Sequence, residues 1–230
     1  MKKLLSTLFI FLFIVTAAWT ASAAESFDQS NGWSEYVESG TASFTPNGQT
    51  MGFFFDDDPA TNQAWAKWYK GFPSAYGALA TFKVTSFNGS DVAVGMRKYV
   101  GLTKSGPFST SSGNPILAEI YLQVYENQYR IYYKIRERTT NYNTVKYLAR
   151  GVLGDWDGMW KLGEKVTIGI AAVGNDIYFY SPKVEAFTKV QLLDGMSPVT
   201  SKWTHIEVCG WVWNTDGDIT GEVTDFTPLH

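Results

Sequence analysis

The sequence predicts an all-β fold, a two-sheet antiparallel sandwich or jelly roll, on three observations. Period-two alternation of apolar and polar residues dominates from Leu79 to the C-terminus. Tight-turn residues interrupt it repeatedly, at Asn88-Gly89, Glu126-Asn127, Gly174-Asn175 and Asp216-Gly217. Aromatic residues make up 16% of the chain, with nine Trp and thirteen Tyr, and a single cysteine leaves packing rather than disulfides to hold the core.

At the N-terminus, Lys2 and Lys3 precede an apolar run from Leu4 to Ala18 that closes on Ala21-Ser22-Ala23. A short positive region, an apolar core too short to span a membrane, and an A-x-A end are the marks of a cleaved secretion signal over residues 1–23. The expected mature chain is then one β-sandwich domain over 24–230, secreted or periplasmic, with no integral membrane segment after cleavage. Next, Thr41–Phe44 and Met51–Phe55 read as a hairpin around Asn47-Gly48. Pro59–Lys70 reads as the one helix, with Asp58 as N-cap, Pro59 at the first helical position, and Trp65, Trp68 and Tyr69 on one face.

Ala80, Phe82 and Val84 alternate with polar residues, then turn at Asn88-Gly89 into Val92, Val94 and Met96. The best-defined unit pairs Ile116–Tyr125 with Gln128–Glu137. A two-residue turn at Glu126-Asn127 sets Val124 opposite Tyr129, Leu122 opposite Ile131, Ile120 opposite Tyr133 and Ala118 opposite Ile135 on one apolar face. The other face then pairs Gln123 with Arg130, Tyr121 with Tyr132 and Glu119 with Lys134, which is favourable cross-strand chemistry. Val166–Val173 and Asp176–Ser181 form a further hairpin, with Ile170 facing Phe179 and Ala172 facing Ile177. Trp203–Trp213 and Asp218–Phe226 read as the last. Ten to twelve strands are expected in all.

Charge excludes some partners. Loss of Lys2 and Lys3 leaves seventeen basic against twenty-two acidic residues, a net charge near −5, which argues against nucleic acid and anionic membrane surfaces.

Three segments carry a resemblance. They are the opening Phe27-Asp28 with Trp33, the stretch Trp160-Lys161-Leu162-Gly163-Glu164-Lys165-Val166 leading into Gly174-Asn175-Asp176-Ile177-Tyr178-Phe179-Tyr180, and the closing Asp225-Phe226. In these the chain resembles the concanavalin A-like lectin and glucanase superfamily, laminin-G-like members included, a jelly roll of two curved antiparallel sheets. The resemblance implies a glycan-handling scaffold and no particular activity.

Glucanases of that superfamily set their acids on one strand as E-[IL]-D-x-x-E. Here the nearest segment is Glu119-Ile120-Tyr121-Leu122-Gln123, with Tyr121 where the Asp would stand, so hydrolysis from this strand is not expected. A lyase would need a Tyr or His base and an Arg or Gln to neutralise a uronate. Tyr121, Tyr132, Gln123, Arg130 and His205 are of those types, yet the superfamily's Q-[IV]-H lyase motif is absent. No nucleophile elbow, phosphate loop or cofactor fingerprint occurs.

Binding without turnover is the leading expectation. Odd positions of the late strand place His205, Glu207, Trp211 and Trp213 together, opposite the apolar Ile206, Val208 and Val212. Rings for stacking beside polar groups for hydroxyls suit a sugar. The candidate carbohydrate-binding set is therefore Glu119, Tyr121, Gln123, Arg130, Tyr132, His205, Glu207, Trp211 and Trp213, with a glycan or cell-surface polymer as partner. A structural or adhesive domain meeting another protein is the alternative, and a lyase or hydrolase with an atypical site the second. No cofactor is expected. Asp56-Asp57-Asp58, Asp155-Trp156-Asp157-Gly158 and Asn214-Thr215-Asp216-Gly217-Asp218 supply carboxylates of the kind a structural calcium takes, and equally those of ordinary turns.

Overall fold

A computed structural model describes residues 23–72, 75–103, 115–137, 147–154, 159–184, 186–192, 196–198, 205–213 and 216–230. These hold fifteen strands: β1 (Ser34–Ser39), β2 (Thr41–Asn47), β3 (Thr50–Asp56), β4 (Gln63–Gly71), β5 (Gly77–Asn88), β6 (Asp91–Thr103), β7 (Pro115–Tyr125), β8 (Gln128–Glu137), β9 (Tyr147–Val152), β10 (Val166–Val173), β11 (Asp176–Ser181), β12 (Ala186–Gln191), β13 (Met196–Pro198), β14 (His205–Trp213) and β15 (Asp218–Leu229). The first sheet runs β1-β4-β14-β6-β7-β8-β9, with β13 paired to the far end of β6. The second runs β12-β11-β10-β5-β15-β3-β2. All pairings are antiparallel. This is the all-β sandwich that the alternation predicts.

The central hairpin forms as its turn dictates. Glu126 and Asn127 both hold left-handed backbone (φ 49° and 66°), the geometry of a two-residue hairpin turn whose twist matches that of the strands. Register follows, with Val124 opposite Tyr129 and Ala118 opposite Ile135. Ile170 opposite Phe179 likewise matches expectation, and the hairpin around Asn47-Gly48 forms with Phe44 opposite Phe53.

Four expectations are corrected. Residues 59–70 contain no helix: Gln63–Gly71 is a strand whose even positions Ala64, Ala66 and Trp68 are buried while Gln63, Trp65 and Lys67 face outward. Asp58 does cap a turn, accepting from the Ala60 N–H at 2.9 Å, but the turn closes on Gln63 as a hairpin bend. The Asp-Pro signal marks either kind of turn, and the period-two burial of the next residues decides for strand. Trp65 and Trp68 therefore lie on opposite faces.

The late segments are not a hairpin either. β14 belongs to the first sheet and β15 to the second, so Val208 and Val223 enter the one core from opposite sheets instead of side by side. The same is true of β5 and β6, where Asn88-Gly89 makes a corner between sheets. Alternation and turn residues are identical for a hairpin and for a sheet-crossing corner. The strand count exceeds ten to twelve because short edge strands such as β1, exposed on both faces, carry no apolar signature.

The core lies between the sheets, with Phe55, Phe82, Met96, Ile120, Trp160 and Phe179 among its buried side chains. The segments around Phe27 and Phe226 close one side of it. Phe27 sits 5.2 Å from Trp33 and 5.8 Å from Phe226, and Trp33 lies 5.2 Å from Phe226. The Glu25 N–H donates to the Phe226 carbonyl, and the Glu25 carboxylate pairs with Lys70. Among the described residues no helix is long and apolar enough to cross a membrane.

Candidate functional site

The face of the first sheet that points away from the core is unusual for its burial. Register places Tyr69, Glu207, Arg97, Glu119, Lys134 and Arg150 in one row across β4, β14, β6, β7, β8 and β9. The next row runs Lys67, Cys209, Gly95, Tyr121, Tyr132, and a third Trp65, Trp211, Ala93, Gln123, Arg130. A solvated face would leave such side chains wet. Here Glu119 and Tyr121 are 0% exposed and Glu207 1%.

Ion pairing accounts for the first row. Glu119 takes Arg97 at 2.8 Å and Arg136 at 2.9 Å on Oε1, and Lys134 at 3.0 Å on Oε2. Burial alone would push its carboxyl up; Lys134, Arg136 and Arg97 outweigh that and hold it far below the usual carboxylate range. Glu207 pairs with Lys67 at 2.6 Å and with the other end of Arg97 at 3.3 Å. Arg97 thus bridges two buried glutamates.

Aromatic packing accounts for the second and third rows. The Tyr121 and Trp211 rings meet edge to face at 4.1 Å, and the Tyr121 hydroxyl lies 3.6 Å from Cys209 Sγ. Lys134 Nζ stands 4.3 Å over the Trp211 ring and 5.2 Å over Tyr121. Gly95, directly opposite Tyr121, leaves the room: a Cβ there would fall 2.1 Å from the Ile120 carbonyl oxygen. Burial raises the Tyr121 phenol well above its ordinary value and pushes the Cys209 thiol up to about 11.

Beside these lies a polar relay. Arg130 Nε donates to Gln123 Oε1 at 3.0 Å, and Gln123 Nε2 donates to Asp91 Oδ1 at 2.7 Å. Burial raises the Asp91 carboxyl despite hydrogen bonds from Gln123 and Trp211. Arg130 itself stacks 4.4 Å from the Tyr125 ring and 5.1 Å from Tyr132.

The fold therefore brings the expected residues to one face. Glu119, Tyr121, Gln123, Arg130, Tyr132, Glu207, Trp211 and Trp213 all project from it, and His205 holds the register position opposite Gly71, its side chain outside the described set. They are not equally open. Glu119, Tyr121, Gln123, Arg130, Glu207 and Trp211 are buried in the floor, Tyr132 is half-buried, and Trp213 is 44% exposed at the end of its strand. Tyr36, opposite Lys67, and Tyr147, opposite Arg136, add exposed rings at the two flanks.

Sequence reasoning missed Lys67, Arg97, Arg136 and Asp91. Lys67 was hidden by reading its strand as a helix. Arg97 was findable, since alternation from Val92, Val94 and Met96 puts it on the outward side. Asp91 reads as a turn residue, and only its pairing with Tyr125 places it on the face.

The acidic clusters resolve into turns where they are described. Asp56 pairs with Asp218 across β3 and β15, and Asp57 ties the corner by exchanging hydrogen bonds with Gly217 at 3.0 and 3.1 Å. Among the described residues no three His, Cys, Asp or Glu side chains are grouped to hold a metal ion. Residues 155–158 and 214–215 lie outside the described set.

No protein-family model matches the chain, and no curated protein matches it by sequence. Solved structures do share its fold. A prokaryotic β-1,3-1,4-glucanase (lichenase) derived from a mouse hindgut metagenome superposes with a TM-score of 0.54 at 11% identity, covering 92% of this chain and 98% of that one. The endo-β-galactosidase from Clostridium perfringens that releases GlcNAcα1-4Gal gives 0.51 at 10% identity, over 94% of this chain and 64% of that enzyme's length. A legume lectin-like domain from Entamoeba histolytica gives 0.50 at 8% identity, over 88% and 92%. The likeness is one of fold alone: these proteins share with the chain a sandwich of two antiparallel sheets.

Proposed function

We propose that residues 24–230 form an exported domain, released from its signal at Ala23, that binds a glycan or cell-surface polymer on the outward face of the first sheet without turning it over. The observation that carries this reading is the state of Glu119. It stands where the first glutamate of a glucanase strand would, yet three cations neutralise it and no water reaches it. A carboxylate sealed beneath three cations reaches neither an anomeric carbon nor a leaving oxygen, and the neighbouring positions on the same face of β7 hold Tyr121 and Gln123, so no second acid stands beside it there. The sealed Tyr121 phenol is equally remote from a lyase's base. That a glucanase, a galactosidase and a lectin-like domain share the fold favours glycan as the partner.

On this reading Glu119, Tyr121 and Glu207 build the floor, and the reachable rings of Trp213 and Tyr132 carry the stacking. A polysaccharide panel tests it, with and without added calcium and with product release followed in parallel. Saturable binding without new reducing ends or unsaturated products is the expected result. Absence of binding to every polymer would sink it.

A second reading, a protein partner, draws on β1. This edge strand exposes Tyr36 at 48% and Val37 at 40%, and among the described strands it pairs in the sheet with β4 alone, the arrangement strand addition uses. Concentration-dependent assembly abolished by Val37→Lys would favour it.

A further inference from the structure

The outward face carries more positive charge than its own carboxylates offset. At its paired strand positions, among the described residues, stand Lys67, Arg97, Lys134, Arg136 and Arg150 against Glu119 and Glu207, with Arg130 set apart beside Asp91. Five cations there face two anions, in a chain whose total charge is −3. The sign of this face opposes that of the rest of the molecule.

The surplus is concentrated where it is costly. Side chains of Lys67, Lys134 and Arg136 keep only 14% of their surface, and that of Arg97 6%. Clustering like charges at low exposure is unfavourable unless an anion joins them. Lys134 registers this strain. Burial holds its ammonium below the ordinary value, Arg136 and Arg97 adding to the effect, although Glu119 is 3.0 Å away. The cations still reach solvent, through those 14% margins and through the exposed Arg150. Arg150 stacks 5.2 Å from the exposed Tyr147 ring, and Lys67 lies 5.6 Å from Tyr36. Positive groups and open rings therefore alternate across the face.

Resting on the reading that this face binds glycan, we propose that its ligand is an anionic one: a polymer whose carboxylate or sulfate groups meet the surplus cations while its sugar rings lie on the aromatic flanks. Neutral polysaccharides would leave the surplus uncompensated. An anionic group arriving there completes the charge count and gains charge-assisted hydrogen bonds from groups already held in place.

The test compares carboxylated polymers (alginate, polygalacturonate), a sulfated one (carrageenan) and neutral ones (lichenan, galactan), by calorimetry or affinity electrophoresis of the mature domain. Expected is saturable binding to a carboxylated or sulfated polymer, the responding arm naming the group, at least about tenfold tighter than to any neutral one. Raising salt from about 0.05 M to about 0.5 M should weaken it. Arg150→Glu, at an exposed position outside the ion network, should lower affinity roughly tenfold. Lys189→Glu, on β12 of the other sheet, should leave it unchanged.

Neutral polymers binding as tightly as charged ones would overturn this inference and leave the glycan reading standing. Binding to none of them would remove the glycan reading, and this inference with it. Anionic binding that ignores Arg150→Glu, or falls equally with Lys189→Glu, would reduce the effect to diffuse charge and overturn the inference as well.

Discussion

Lys134 Nζ and the indole of Trp211 stand 4.3 Å apart, a cation lying on a ring across two intervening strands of the first sheet. The same ammonium is 3.0 Å from Glu119. Floor charges and floor rings are therefore one structure, and removing either disturbs both.

Glu119→Gln should be strongly destabilising, by about 3–5 kcal/mol at pH 7, because it strands three cations at low exposure. Its pH dependence has a definite sign. The folded carboxyl lies below its unfolded value of 4.5, so its contribution is fully present above about pH 4.5 and is lost as pH falls toward the folded value. Urea melts of wild type and variant should differ most near neutrality and converge in acid.

Lys98 offers the opposite case. It is 4% exposed on the inner side of β6, its Nζ 3.3 Å from the Ala75 carbonyl, and burial lowers its pKa from 10.5 to about 8. The fold therefore pays a penalty for the charged form, fully present below pH 8 and gone above 10.5. Lys98→Met should stabilise the domain by about 2–3 kcal/mol at pH 7. That gain should vanish in melts near pH 10.5.

Gly95 is required by the close approach of Tyr121. A Cβ would meet backbone, the Ile120 oxygen at 2.1 Å and the Tyr121 Cα at 2.7 Å, so no rotamer change relieves it. Gly95→Ala should cost at least about 2 kcal/mol. Because Tyr121 shields Cys209, thiol labelling in native buffer should be far faster in the variant than in wild type.

Trp211 and Trp213 should separate cleanly. Trp213→Ala removes a ring 44% exposed, and should leave stability within about 0.5 kcal/mol. Polymer affinity should fall roughly tenfold in the same variant. Trp211→Ala empties a packed position under Lys134 and should cost about 3–5 kcal/mol. Thermal melts beside binding isotherms distinguish the two.

Local chemistry was legible in the sequence; long-range placement was not. The Glu126-Asn127 turn fixed Glu119 opposite Lys134, because a two-residue turn admits one register. That Arg97 should bridge Glu119 to Glu207 depends on β14 entering beside β6, a pairing between residues far apart in the chain. Nothing near Trp211 announces it. The helix expected at 59–70 failed because Ala, Trp and Lys suit either state, and only a neighbouring strand on each side chose. The expected positions on β7, β8 and β14 share one side of the first sheet, but their burial was not legible. Alternation tells which side a residue faces and says nothing of what lies over it.

The placement of β14 and β15 sets an order on how this molecule is made. β14 is interior to one sheet, between β4 and β6, and β15 to the other, between β5 and β3. Residues 205–230 are synthesised after every other strand described, and until they arrive each sheet is split down its middle. Synthesis cannot finish half the sandwich early. The earlier strands must wait unclosed for the later two, and loss of β14 and β15 together should cost both layers at once.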